Sequence, residues 1–148
     1  MDNEQGLSVT VRRRFDASAE RVFDAWLDAD MARKWLFATD QGQITRAEIE
    51  PRVGGKFVIV DRRDGEDVEH VGEYRVIDRP HRLVFLFGIP AFDPEPDEIT
   101  ISISRLDTGC ELTLIHVMKA RYEEYRDRTA EGWTKMLGAL SVTLEGRS

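Results

Sequence analysis

The sequence predicts an α+β domain in which a curved antiparallel sheet of about six or seven strands wraps around a long C-terminal helix. The first observation is a helical pattern without proline over residues 121–145. The second is a series of strand-like segments before it, whose short connections favour antiparallel pairing. The third is that helical patterns interrupt these strands only once, after the first strand. Two short helices are therefore expected to share one side of the sheet with the long helix.

The N-terminal elements follow from periodicity. Residues 7–15 alternate between apolar and polar side chains, which predicts the first strand. Residues 18–28 carry an apolar stripe at helical spacing, with Asp16 or Ser18 as the candidate N-cap. Asp30 is expected to cap the second, shorter helix.

Turn signals divide the rest of the chain into strands. Asp64-Gly65 is typical of a hairpin, and glycine or proline marks the other turns. An irregular loop is expected at 88–97, because its prolines do not fit a central strand. The predicted strands span residues 43–49, 56–62, 68–77, 82–87, 98–106 and 111–118.

Length and composition limit the function classes. A chain of 148 residues fits a single domain over residues 1–148, with residues 1–6 expected to be disordered. The net charge of −7 argues against nucleic acid and against an anionic membrane surface as partners. The N-terminus lacks a signal-peptide pattern, and no apolar run approaches roughly 18 residues. These features predict a cytoplasmic protein.

Metal and cofactor motifs are missing from the sequence. His70, His81 and His116 are scattered without metal-ligand spacing, and the first two, beside turns, are expected to be solvated. No phosphate-binding loop, dinucleotide fingerprint or nucleophile elbow occurs. We therefore predict no metal and no cofactor. Cys110 is the only cysteine and is interpreted as a bystander thiol.

An ordered set of motifs spans nearly the whole chain. Residues 15–26 read FDASAERVFDAW, Trp35 follows, and later segments read GGKF, GEY, PHRLVF, TGCELTL and GW. In this order they resemble the activator-of-heat-shock-ATPase homologues of the START-like (SRPBCC) helix-grip superfamily. The resemblance implies the helix-grip fold with a cavity between sheet and helix. It does not specify an activity, because members of this superfamily bind different ligands and only some are enzymes.

The expected cavity lining comes from the inward faces of the strands, the last helix and the proline-containing loop. The alternative for the apolar members is that they only form core. Gly132 and Gly138, inside the helical pattern, suggest either close approach to the sheet or a ligand, or flexibility. The candidate ligand-binding residues are Trp35, Phe57, Ile59, Tyr74, Phe85, Phe87, Phe92, His116, Met118, Trp133 and Leu137.

His116 and Phe92 are the two candidates with a specific role. His116 alternates with apolar residues, and a buried histidine needs a partner, either Tyr74 or a nearby carboxylate. A core histidine, a ligand contact and acid–base catalysis all remain open for it. Phe92 lies in an acidic loop that is either a lid with Phe92 as its gate, a solvated loop or an oligomer contact.

Three function classes are compatible with these patterns. The favoured one is a binding protein for a small apolar or aromatic molecule, oriented by His116 and Tyr74. The second is a cyclase, dehydratase or hydrolase with His116 as general base; it is less favoured because catalysis usually needs an oriented partner group, and no catalytic residue is assigned. The third is a chaperone-ATPase-activating interaction protein, which the family name suggests. A homodimer through an edge strand or the proline-containing loop also stays open.

Overall fold

A single seven-stranded antiparallel sheet organises the chain, in the order β1-β7-β6-β5-β4-β3-β2. The structure is a computed structural model that describes residues 6–39 and 42–145. The disorder predicted for residues 1–6 therefore falls outside the described residues, except at residue 6. The predicted strands are confirmed to within a few residues at each end. They are β1 Leu7–Phe15, β2 Gln43–Ile49, β3 Lys56–Arg63, β4 Glu66–Asp78, β5 Arg82–Gly88, β6 Asp97–Arg105 and β7 Cys110–Met118.

The helices lie where the patterns place them, apart from the cap of α2 and the first turns of the last helix. The first two are α1 Ala19–Asp24 and α2 Ala29–Ala32, and the last is α3 Arg126–Glu145. Of the two candidates for the cap of α1, Ser18 is the one present. Asp28 rather than Asp30 caps α2, because its carboxylate accepts the Asp30 N–H at 2.9 Å. The α+β class and the helix-grip arrangement are thereby confirmed.

The predicted single helix over residues 121–145 is wrong at its N-terminal end. Residues Ala120–Tyr125 form a 3-10 helix, and Tyr122 has non-helical backbone angles of φ −105° and ψ 23°. The periodicity did not reveal this break because side chains of a 3-10 helix also recur about every three residues. Within this segment Tyr122 and Tyr125 are half-buried, whereas Arg121, Glu123 and Glu124 are exposed.

Two hairpin turns use residues that tolerate a left-handed backbone. Asp64 and Gly65 have φ values of 50° and 80° between β3 and β4, as the Asp-Gly signal predicts. Gly109 has φ 75° before β7. Both turns fix the register of long antiparallel pairs, so the inward faces of the strands stay aligned.

The core lies between the concave face of the sheet and α3. Along β7 buried and half-exposed side chains alternate strictly, and α3 contributes a buried stripe from Trp133 to Leu144. Trp26 and Trp35 meet edge to face with ring centroids 4.6 Å apart. In the described part of the chain, no helix is both long and apolar enough to cross a membrane.

Candidate functional site

A cavity of about 160 Å³ opens at the end of the sheet where α3 begins, and we call it the mouth cavity. Its walls come from the ends of β5 and β7, the start of β6, the proline-containing loop, the 3-10 helix and the first turn of α3. The lining residues are Phe87, Gly88, Ile89, Phe92, Asp93, Glu95, Asp97, His116, Met118, Lys119, Tyr122, Tyr125 and Thr129.

One wall of the mouth cavity is aromatic. Phe92 is 58% exposed and covers the outer edge of the cavity from the loop. Its ring centroid lies 5.0 Å from that of Tyr122 and 5.9 Å from that of Tyr125, both on the helical side. The loop therefore contacts the helical wall through the ring of Phe92.

His116 forms the inner polar end of the mouth cavity, and both of its ring nitrogens are engaged. The Trp133 indole N–H, which can only donate, lies 3.0 Å from His116 Nδ1. Nδ1 is therefore the acceptor, and the ring proton is on Nε2, which donates to Asp97 Oδ2 at 2.8 Å. Of the two partners expected for His116, the carboxylate is the one present. His116 is 4% exposed, so this orientation is fixed within the packed interior.

Asp97 connects the buried histidine to the surface of the mouth cavity. Its other oxygen, Oδ1, accepts from Lys119 Nζ at 3.0 Å, and Lys119 also donates to the Glu95 carbonyl at 2.9 Å. Burial alone would raise the pKa of the Asp97 carboxyl, but the hydrogen bonds from His116 and Lys119 hold that pKa below its usual value. Asp97 is therefore ionised at neutral pH.

Asp93 ties the loop to the 3-10 helix. Its Oδ1 accepts the backbone N–H of Glu95 at 2.9 Å, and its Oδ2 accepts from the Tyr122 hydroxyl at 2.8 Å and from Arg121 at 3.1 Å. The Glu95 N–H, followed by the Tyr122 hydroxyl, lowers the pKa of Asp93. The loop is thus held against the 3-10 helix by hydrogen bonds between ionised and polar groups.

The structure separates the sequence-predicted site residues into two groups. Phe87, Phe92, His116 and Met118 line the mouth cavity together. The others lie in the packed core and are at most 3% exposed; ligand contact by any of these residues stays a prediction. The core group is Trp35, Phe57, Ile59, Tyr74, Phe85, Trp133 and Leu137.

Phe37 fills the middle of the grip, where the sequence placed a cavity. Its ring is nearly parallel to those of His70, with centroids 4.4 Å apart, and Phe87, with centroids 4.8 Å apart, and it meets the edge of Trp133 at 5.8 Å. Its backbone has φ 59°, a conformation that residues other than glycine rarely adopt. No periodic pattern marks this residue, so sequence analysis missed it.

Several lining residues were not predicted from the sequence, and for most of them a spacing or register signal existed. Tyr122, Tyr125 and Thr129 follow each other at spacings of three and four, which places them on one helical face. Asp97 lies opposite Phe87 in the β5–β6 register and so shares its inward face. Lys119 follows the inward residue Met118 directly and had no such signal.

The second buried histidine corrects an expectation. His81 is exposed, as expected, but His70 is 3% exposed and its Nδ1 lies 3.1 Å from the Ile59 carbonyl oxygen. Burial lowers the pKa of His70 from 6.5 to about 4. The turn beside His70 did not imply exposure, because His70 lies opposite the buried Ile59 in the β3–β4 register and so shares its inward face.

The two helix glycines have an open side. A Cβ built at Gly132 or Gly138 would meet no atom of the described residues within 4 Å. Close approach to the sheet therefore does not explain them. Across residues 6–39 and 42–145, no group of three or more histidine, cysteine or carboxylate side chains is arranged to hold a metal ion.

Comparisons with known proteins agree with this geometry. Residues 16–145 match the model of the family described as Activator of Hsp90 ATPase homolog 1-like protein. A protein of unknown function from Staphylococcus aureus is similar in structure, with TM-score 0.85 and 20% identity, over 97% of this chain and 96% of that chain. An AHSA1-like protein from Aeromonas hydrophila has TM-score 0.81 and 18% identity, over 95% and 93%. At such identities the structures show the fold alone, and no curated protein matches the chain.

Proposed function

The chain belongs to the Activator of Hsp90 ATPase homolog 1-like protein family, and we propose that it binds a small apolar or aromatic molecule in the mouth cavity. The observation that carries this proposal is the cavity itself. It combines an aromatic wall with one oriented polar end at His116 and Asp97, which is the usual composition of a small-molecule site.

The size of the cavity indicates the size of the ligand. Its volume is about 160 Å³. An apolar cavity of about 150 Å³ in another protein accommodates benzene. The ligand class that fits is therefore a single aromatic ring or an aliphatic molecule of similar size. A larger molecule would need Phe92 and the loop to move outward.

The geometry favours binding over catalysis by His116. A general base needs a lone pair within reach of the substrate proton. The lone pair of His116 Nδ1 already accepts the Trp133 N–H, and Nε2 carries a proton that is hydrogen-bonded to Asp97. We accordingly propose a binding protein rather than a cyclase, dehydratase or hydrolase. Its proposed location is the cytoplasm.

Titration with toluene, followed by calorimetry and thermal unfolding, tests this function. Thr129→Phe places a ring into the mouth cavity from α3, whereas Thr134→Phe adds the same ring at an exposed position of the same helix. We expect toluene to bind and stabilise the wild-type protein and Thr134→Phe, because a ligand that binds only the folded state raises its stability. Thr129→Phe should bind at least tenfold more weakly.

Two results would count against the proposal. One is the absence of toluene binding to the folded wild-type protein. The other is equal toluene affinity in both variants, which would place the bound ring somewhere other than the mouth cavity.

A further inference from the structure

The polar groups at the inner end of the mouth cavity differ in what they still offer to a ligand. His116 has no free nitrogen, since one accepts from Trp133 and the other donates to Asp97. The Lys119 ammonium has three protons, and it faces Asp97 Oδ1 at 3.0 Å, the Glu95 carbonyl at 2.9 Å and Asp93 Oδ2 at 3.8 Å. The Nε2–H group of His116 and the Lys119 ammonium are thus already directed at protein acceptors.

Asp97 still has accepting capacity. A carboxylate has about four lone-pair positions, and among the described residues Asp97 uses one on each oxygen, for His116 and for Lys119. Its side chain is 22% exposed, against 5% for His116 and 13% for Lys119. Of these three groups, Asp97 is the one that a ligand in the cavity can reach most readily.

The hydroxyl groups of the lining do not change the preference for a ligand that donates a hydrogen bond. Tyr122 donates its proton to Asp93, and Tyr125 and Thr129 each carry a hydroxyl that can either donate or accept. The lining also holds the carboxylates of Asp93 and Glu95. An anion placed there would face these charges, whereas a ligand N–H or O–H would find an acceptor.

We propose that Asp97 determines specificity in the mouth cavity by accepting a hydrogen bond from the ligand, so that the ligand class is a single-ring molecule bearing an N–H or O–H donor. This inference rests on the proposed function, because it assumes that the mouth cavity is the binding site. His116, fixed by Trp133, and Lys119 act as positioning residues that hold the Asp97 carboxylate in one orientation.

Phenol and toluene form a matched pair of probes, because they have the same number of non-hydrogen atoms and only phenol donates a hydrogen bond. Their affinities are measured by calorimetry for the wild-type protein, Asp97→Asn and Glu98→Gln. Glu98→Gln is the control, since it removes the same charge from an exposed side chain of β6 that does not line the mouth cavity. The quantity compared is the affinity for phenol divided by that for toluene.

The expected result is a fall of about fivefold in this ratio for Asp97→Asn, because a charged acceptor is replaced by a neutral one. Toluene affinity should change little, and Glu98→Gln should keep the wild-type ratio. An unchanged ratio in Asp97→Asn, or an equal fall in Glu98→Gln, would overturn the assignment of Asp97 while toluene binding still supports the proposed function. Failure of both probes to bind the wild-type protein would overturn both proposals.

A second measurement needs no variant and applies if Asp97→Asn does not fold. Benzyl alcohol and benzoate are similar in size, but the first donates a hydrogen bond and the second is an anion. We expect the wild-type protein to bind benzyl alcohol at least tenfold more tightly. Benzoate binding as tight as that of benzyl alcohol would contradict the proposed role of Asp97.

Discussion

His116 has its orientation set by Trp133, which donates to Nδ1 across 3.0 Å in the buried core. Replacing Trp133 by Phe keeps an aromatic ring but removes the N–H, which leaves a buried acceptor without its donor. We expect a loss of about 1–3 kcal/mol in the free energy of unfolding, measured in urea.

A double-mutant cycle separates this hydrogen bond from lost packing. In a His116→Leu background no acceptor remains, so Trp133→Phe should cost less there than in the wild-type protein. Strictly additive effects of the two substitutions would show that the bond contributes nothing to stability.

His70 predicts a pH dependence of stability. Its pKa in the folded protein is about 4, below the ordinary 6.5, because burial disfavours the charged ring. The unfolded chain therefore binds a proton that the folded chain does not, and stability falls as the pH drops from about 6.5 to about 4. The expected loss is about 3 kcal/mol, and below pH 4 this contribution changes no further.

Unfolding in urea at several pH values measures this effect. His70→Phe retains an aromatic ring beside Phe37 and should lose this part of the pH dependence. His81→Gln is the matched control, since His81 is exposed, and it should keep the wild-type profile. Identical profiles for the wild type and His70→Phe would contradict the assignment.

Single residues also limit what the sequence could predict. Alternation along β7 correctly turned His116 inward, but the identity of its partner depended on the β6–β7 pairing. Phe37 could not be found by periodicity, because it lies after α2 in a left-handed backbone conformation. Its position in the core depends on contacts with residues distant in the sequence.

At the scale of elements, an added Cβ has opposite consequences at a strand glycine and at a helix glycine. A Cβ at Gly72 in β4 would collide with the Leu86 carbonyl oxygen and the Phe57 ring. A Cβ at Gly138 in α3 would meet no described atom within 4 Å. We expect Gly72→Ala to destabilise the protein, typically by about 1–3 kcal/mol, and Gly138→Ala to stabilise it by about 1 kcal/mol.

Thermal and urea unfolding of the two alanine variants measures both signs in one experiment. Each variant serves as the control for the other, because the chemical change is the same. Destabilisation by Gly138→Ala would indicate that the open side of α3 has a packing partner in solution.

The elements themselves were largely predictable, because period and turn residues act locally. Asp64-Gly65 adopts the left-handed angles of a tight hairpin, and the alternating segments became strands with nearly the expected ends. The break at Tyr122 was not predictable, since a 3-10 turn and an α-turn place their side chains at nearly the same spacing.

At the scale of the whole molecule, the sheet grips α3 as the sequence predicts, but much of the grip is filled by aromatic side chains. Phe37, Phe57 and Trp133 occupy the middle, and the mouth cavity lies at the N-terminal end of α3. The sequence could identify inward faces. It could not decide which inward residues touch each other and which border open space, because that depends on the summed volume of side chains from distant segments.

The central claim is that a ligand binds in the mouth cavity rather than in the middle of the grip. Methyl NMR spectra recorded during a toluene titration test it directly. We expect the resonances of Met118 and Thr129, which line the mouth cavity, to shift in a saturable manner, while Leu137 and Ile59 in the core stay nearly unchanged. Saturable shifts centred on Leu137 and Ile59, with Met118 and Thr129 unaffected, would contradict the account.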